Sequence, residues 1–282
     1  MSFVSVQKYL PQHLLSAQMN RIARSRNAAL RNALVRFFLR NYPMIDMREA
    51  AQPDPFAYAS FNEFFTRALK PGARPIDAAT DAIVSPVDGT VSQVGLIEDG
   101  QLLQAKGINY SLAALLADAS SAARFAGGSF ACIYLAPYNY HRIHMPLPGR
   151  LLATRYVPGA LFSVNAATAA AVEGLFAINE RVVCEFETPH GALAMVLVGA
   201  LMVGSIETRY AGEINPPGGR KGQAREIEAG RGREFAKGEE LGRFNMGSTV
   251  ILALGNPRLG FTQRFVPGAT VRLGQAIAHV AG

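Results

Sequence analysis

Phe244-Asn245-Met246-Gly247-Ser248-Thr249-Val250-Ile251-Leu252 joins a polar turn to an apolar run. The charged stretch Lys237-Gly238-Glu239-Glu240-Leu241-Gly242-Arg243 precedes it. Residues 249–254 are β-branched or apolar, the composition of a buried strand. Ser248 therefore follows a glycine at the lip of a strand. Two readings of this serine are open, an ordinary turn residue and a nucleophile.

The same pattern recurs outward from this point. Short apolar runs at residues 89–97, 130–135, 151–157, 182–187, 192–198 and 270–280 are bounded by Gly, Pro and Asp. They predict a β-rich, barrel- or sandwich-like core with antiparallel pairs. Helical interruptions are expected at 112–125 and 166–174, and the class is α+β. Residues 191–206 carry no charge, but the run is shorter than the roughly 20 residues that span a bilayer. Two buried strands joined by a tight turn account for it. Residues 212–240 are rich in Gly, Pro and charge and read as a long exposed loop carrying Arg220, Lys221, Arg225, Arg231 and Arg233. A loop of that length is often functional.

The first forty residues differ from the rest. They contain Lys8, Arg21, Arg24, Arg26, Arg31, Arg36 and Arg40 and neither Asp nor Glu. Leu30, Leu34, Phe37 and Phe38 share one helical face, with Val35 and Leu39 off it. Asn41-Tyr42-Pro43 should end that helix. A helical arm packed on its own domain and a basic helix lying on an acidic membrane both fit. Nucleic-acid binding fits less well, because no base-reading module joins the basic residues. Phe61-Asn62-Glu63-Phe64-Phe65-Thr66-Arg67 reads as a short helix opening the main domain, so the division falls between residues 1–60 and 61–282. The net charge of +7 favours an anionic partner. Cys132 and Cys184 lie in apolar runs without a CxxC pair and read as buried thiols. No secretory signal is expected, and the cytoplasmic side is the better compartment.

Three further residues could carry chemistry. Tyr140-His141-Arg142-Ile143-His144-Met145-Pro146 holds two of the five histidines. A zinc site wants three or four ligands, and no second His or Cys pair exists, so acid–base work or a structural pair remain. Asp88, in Ser85-Pro86-Val87-Asp88-Gly89, is either a turn residue or the acid that orients a histidine. Gly247 tolerates backbone conformations closed to other residues, and a strained peptide there is open to attack by the Ser248 hydroxyl. The N-to-O acyl shift gives an ester, and elimination leaves dehydroalanine and then a pyruvoyl ketone. Such a ketone does the work of pyridoxal phosphate.

Taken together, the chain resembles the prokaryotic, membrane-associated phosphatidylserine decarboxylases. The likeness rests on residues 61–67, Ser85-Pro86-Val87-Asp88-Gly89, residues 140–146, Leu161-Phe162-Ser163-Val164-Asn165, Asn179-Glu180-Arg181-Val182 and Gly247-Ser248-Thr249. Met246 departs from the usual Leu, a mild exchange. The resemblance implies a pyruvoyl-dependent proenzyme that cuts itself between Gly247 and Ser248 into a β chain, 1–247, and an α chain, 248–282. Asp88, His144 and Ser248 would form the self-cleavage relay. His141 would serve decarboxylation, and Ser163 and Asn165 would contact the headgroup. The cofactor would be the pyruvoyl group made from Ser248, which forms a Schiff base with the substrate amine; no metal or pyridoxal phosphate is expected. Phosphatidylserine and the acidic membrane surface would be the partners, and nucleic acid would not. The two chains would stay together as a heterodimer, leaving open a dimer of heterodimers, peripheral on the cytoplasmic side of the cell membrane. A lipoyl- or biotinyl-type carrier lacks its hairpin-tip lysine here, and a serine hydrolase lacks its Gly-x-Ser-x-Gly elbow.

Overall fold

Strand Ser248–Leu254 lies inside the largest sheet, paired antiparallel with Ser129–Leu135 on one edge and Gly191–Val198 on the other. Thr249 faces Tyr134 on one side and Val198 on the other. Beyond these neighbours the sheet continues through Arg181–Thr188 and Gly149–Val157 in one direction. In the other it runs through Gly89–Leu96 to Thr270–Val271. The computed structural model describes residues 6–105, 107–202, 205–215, 222–246 and 248–281, the Ser248 side chain excepted. Gly247, Arg220 and Lys221, singled out above, therefore lie outside the described residues, as does the Ser248 side chain.

The apolar runs are nearly continuous because this sheet is buried on both faces. Val250 and Leu252 join one core with Val182, Met195, Ile143, Leu241 and Ile277. Ile251 and Ala253, pointing the other way, join Val183, Val196, Leu112, Leu115 and Phe176. The first core is roofed by a three-stranded sheet containing Ala82–Val84 and Ala276–Val280, and by a four-stranded sheet containing Arg142–His144 and Glu240–Phe244. The second is covered by short helices at Leu112–Leu116 and Leu175–Ile178. Cys132 and Cys184 are buried, one in each core. The fold is α+β as expected, but as stacked open sheets; none of them closes into a barrel.

Two details differ from the pattern in the sequence. Gly191–Val198 and Ile206–Thr208 are not a hairpin: the first belongs to the large sheet and the second to the four-stranded sheet. The segment expected to be a long loop is also pinned at intervals. Arg225–Glu226 pairs with Tyr156 and Arg155, and Glu234–Phe235 pairs with Arg150 and Gly149. At these four residues the backbone pairs with the edge of the large sheet.

Helices Gln12–Ala23 and Ala28–Asn41 dock on this body. Asn27 caps the second by accepting from the Leu30 N–H. Arg24 forms an ion pair with Glu213, and His13 Nε2 lies 3.0 Å from the Gly159 carbonyl. The face of Ala28–Asn41 turned inward carries Val35 and Phe38, while Phe37 is 67% and Leu30 39% exposed. The buried stripe is thus rotated from the one that hydrophobic spacing alone selects. The reason is Phe38, whose ring centroid lies 5.3 Å from Phe61, 5.8 Å from Phe65 and 6.1 Å from Phe64. That aromatic knot outweighs the remaining apolar positions. It leaves Leu14, Ile22, Leu30, Phe37 and Met44 exposed, among exposed Arg21, Arg26, Arg36 and Arg40.

Phe64 is fully buried at the centre of the knot. Phe64→Ala should cost about 3–5 kcal/mol in urea unfolding. A loss below about 1 kcal/mol would mean that the N-terminal helices do not share this core.

Candidate active site

Asn245 fixes the approach to the Gly247-Ser248 peptide. Its N–H donates to the Ser205 carbonyl, its Nδ2 to Ser205 Oγ at 3.0 Å, and its Oδ1 accepts from Asn62 Nδ2 at 3.1 Å. Asn62 comes from helix Phe61–Phe65, which Ser60 caps through the Glu63 N–H. Met246 follows with φ +90°. A side chain at that angle crowds its own backbone, so the conformation costs energy that the surroundings must supply. On the far side of the peptide, Thr249 Oγ1 is buried without a hydrogen-bond partner among the described residues.

His144 ends a three-residue strand whose backbone N–H donates to the Pro86 carbonyl. Its Nδ1 lies 2.8 Å from the Gly238 carbonyl. A carbonyl only accepts, so Nδ1 carries the proton and Nε2 keeps its lone pair. Tyr140 Oη sits 3.3 Å from that Nε2 and can donate to it. Gly238 can present its carbonyl because it holds φ +78°, and a Cβ there would come within 2.8 Å of Ile76. Burial lowers the pKa of His144, opposed by the Gly238 hydrogen bond and by the nearby charges of Glu240 and Asp88.

Asp88 is buried and does not touch the His144 ring through a hydrogen bond among the described residues. Its carboxylate is gripped by Arg74 through Nε at 3.0 and 3.1 Å and Nη2 at 2.7 Å, and it accepts from the Leu273 N–H at 2.9 Å. Arg74 also reaches Glu49 at 2.9 Å. The adjoining Gly89 lets this turn press against strand Ser129–Leu135: a Cβ would lie 2.6 Å from the Tyr134 carbonyl oxygen. Asp88 thus acts on His144 through its field rather than by contact.

His141 is fully buried, its ring tilted against that of Phe65 with centroids 4.1 Å apart, and its Nδ1 lies 2.8 Å from the Asn139 carbonyl. By the same argument Nε2 is unprotonated, and it has no partner among the described residues. Burial, aided by the charge of Arg67, pulls the pKa of His141 down to about 3. The two histidines therefore sit in separate surroundings, and both are held neutral. Ser163 and Asn165 are both tied into local structure. Asn165 caps helix Ala166–Ala169 through the Thr168 N–H at 2.9 Å, and the Ser163 N–H donates to Gln7 Oε1 at 2.7 Å. A pocket of about 370 Å³ opens beside Asp88 and Tyr140.

Histidines that burial disfavours in the charged form, a clamped carboxylate beside a pocket and a non-glycine residue at positive φ are features that enzyme sites for proton transfer share. Comparison with known proteins narrows the class. The sequence model of the family described as phosphatidylserine decarboxylase matches residues 61–279, and one described as PSD matches residues 2–43. A phosphatidylserine decarboxylase proenzyme of Shewanella sp. (strain ANA-3) is 53% identical over 281 residues, covering 98% of this chain and 96% of that one. The proenzyme of Acidovorax ebreus (strain TPSY) is 52% identical over 278 residues, with the same coverage of both chains. That of Shewanella loihica is 51% identical over 281 residues, covering 98% of each. The chain belongs to the phosphatidylserine decarboxylase family, and it is a decarboxylase.

Arg74, Gly238, Tyr140 and Arg67 are site residues that sequence reasoning did not assign. Tyr140 and Arg67 stood inside quoted motifs, but nothing in their spacing gave them a task. Arg74 and Gly238 meet their partners only through the fold.

The burial of His141 has a consequence for stability. Unfolded, the imidazole binds a proton below about pH 6.5, whereas folded it resists protonation down to about 3. Its contribution is complete above pH 6.5 and drains away as the pH falls. Relative to His141→Gln, the natural protein should lose about 2 kcal/mol more between pH 6.5 and about pH 5 in urea titrations. Parallel losses in both proteins would contradict the buried neutral ring.

Proposed function

We propose that this chain cuts itself between Gly247 and Ser248 and then decarboxylates phosphatidylserine to phosphatidylethanolamine. The observation that carries the reading is Met246 at φ +90°, immediately before the Gly-Ser peptide and a strand locked on both edges. Strain at that point favours a peptide that rearranges. Relatives that are named as proenzymes support it.

In this reading the Ser248 hydroxyl attacks the Gly247 carbonyl carbon, and the peptide C–N bond breaks to leave an ester and a free Ser248 amine. His144 Nε2 takes the hydroxyl proton, with Nδ1–H anchored on Gly238 and burial keeping the ring neutral beforehand. The field of Asp88 stabilises the imidazolium that results. Loss of the Ser248 Cα proton then expels the Gly247 carboxylate. Water converts the dehydroalanine to a ketone with release of ammonia.

Thr249 Oγ1 and His141 Nε2, two buried polar atoms without partners among the described residues, fit a polar group at residue 248. A pyruvoyl ketone there supplies an electrophile for the serine amine and a sink for the electrons left when CO2 departs. In this reading His141 serves the decarboxylation step, in which the carbanion left by CO2 is protonated at the serine Cα. Arg74 holds the Asp88 carboxylate in place through both stages. Ser163 and Asn165 are retained as headgroup contacts through the Ser163 hydroxyl.

The substrate stays in the bilayer, so the enzyme must go to it. No helix among the described residues is long and apolar enough to cross a membrane. Residues 1–60 would instead lay the exposed row of Leu14, Ile22, Leu30, Phe37 and Met44 into the cytoplasmic leaflet, with arginines facing acidic headgroups. Residues 61–282 would form the decarboxylase domain, with the chains 1–247 and 248–282 held together by the shared sheet.

Ser248→Ala should yield one uncut, inactive chain on a denaturing gel; two chains of the usual size would move the cut elsewhere. Leu30→Asp with Phe37→Asp should weaken binding to vesicles containing phosphatidylserine by at least about tenfold without altering the circular dichroism spectrum. Unchanged binding would assign those helices to packing alone.

A further inference from the structure

Arg67 is a buried cation with nothing to hold. It is 5% exposed, and its Nε and Nη1 have no hydrogen-bond partner among the described residues. Its one specific contact is the Phe64 ring, 5.7 Å from the guanidinium carbon. Burial lowers its pKa, and Tyr58 first, then Asp88 and Glu49, counter this without a hydrogen bond to it. An uncompensated buried charge is costly, and most arginines at such depth are paired.

The pocket beside Asp88 explains the vacancy. Arg67 lines it, along with Arg74, Arg272, Asp46, Glu49 and Asp88. Each carboxylate in that wall already has a cation. Asp46 holds Arg48 at 2.8 Å, while Glu49 and Asp88 hold Arg74 at 2.9 and 2.7 Å. Arg272 stands at the mouth, 67% exposed and 3.7 Å from Glu49. Arg67 is the cation left over, and it faces a space large enough for a small anion.

Building on the decarboxylase reading, we infer that Arg67, with Arg272 at the mouth, forms the subsite for the phosphodiester of the serine phospholipid. A guanidinium offers paired N–H donors that match phosphate oxygens. The substrate's other anion, the carboxylate, is a poor choice for Arg67. It must leave as neutral CO2, and an ion pair would stabilise it in the ground state more than in the transition state.

The surroundings agree with this assignment. Tyr138, Asn139 and Tyr140 of the pocket wall begin three residues past Leu135, the residue paired with Ser248. Three residues span at most about 10 Å, within reach of a headgroup. Met44, also in the wall, ends the exposed apolar row that includes Leu30 and Phe37. Acyl chains can follow that row while the phosphate turns inward. Arg67 also acts electrostatically on His141. A phosphate on Arg67 would relieve that repulsion and make His141 a better proton acceptor when substrate is bound.

The test compares Arg67→Gln and Arg67→Lys with the natural mature enzyme, using sn-glycerol 3-phosphate and free L-serine as separate calorimetric probes. Arg67→Gln should lose about 10–100-fold in affinity for glycerol 3-phosphate, with Arg67→Lys in between and serine affinity unchanged. The KM for short-chain phosphatidylserine should rise by more than kcat falls. Removing an unpaired buried cation should also leave the melting temperature equal or higher, whereas a structural arginine would lower it. Unchanged glycerol 3-phosphate binding would overturn the subsite, as would a loss confined to serine. If the natural protein binds glycerol 3-phosphate through Arg67 but releases no CO2 from phosphatidylserine, the decarboxylase reading fails while the anion subsite stands.

Discussion

Strand Ser248–Leu254 is hydrogen-bonded along both edges and buried on both faces, and the rest of the molecule is arranged around that fact. Residue 248 is the first of its paired positions, opposite Leu135. The chain just before it is equally fixed, by Asn245 on Ser205 and Asn62. The mismatch between two anchored segments is absorbed at Met246, a non-glycine residue at φ +90°. The same pairing means that a break before residue 248 would not free the C-terminal piece. Its strand would remain in two ladders, and exposing its apolar residues would be unfavourable.

Around this strand the protein keeps its titratable groups dry. His141 and His144 each spend Nδ1–H on a backbone carbonyl, which fixes the tautomer and leaves Nε2 unprotonated. Burial then disfavours the charged ring at both positions. Asp88 is treated oppositely: Arg74 and a backbone N–H hold it with charge-assisted bonds. Neutral bases beside a fixed negative charge make an environment in which a proton can be taken up and the resulting cation tolerated. Arg67 is buried with Nε and Nη1 unpaired among the described residues, a charge left without its counterpart.

Much of the fold is legible in the sequence because burial on both faces writes apolar runs of strand length. The strands at 89–96, 129–135, 149–157, 181–188, 191–198 and 248–254 all stand out this way. The failures share a cause. Spacing on Ala28–Asn41 cannot reveal that Phe38 meets three rings from Phe61–Phe65, so it does not say which part of the apolar face turns inward. Residues 225–226 and 234–235 pair with strand Gly149–Val157, whose edge is invisible from within the loop. At the site, residue types were legible and partnerships were not. His144 finds Gly238 across 94 residues, and Asp88 finds Arg74 rather than a histidine. Arg67 looked like the end of a helix motif; only its missing partner sets it apart.

The central claim is that residue 248 ceases to be a serine. The most direct measurement is the intact mass of the purified protein's C-terminal fragment. The account predicts a fragment of residues 248–282, lighter than a serine-started chain by one ammonia and resistant to N-terminal sequencing until its ketone is reductively aminated. A single uncut chain that releases CO2 from phosphatidylserine, or a small chain beginning with free serine, would contradict it.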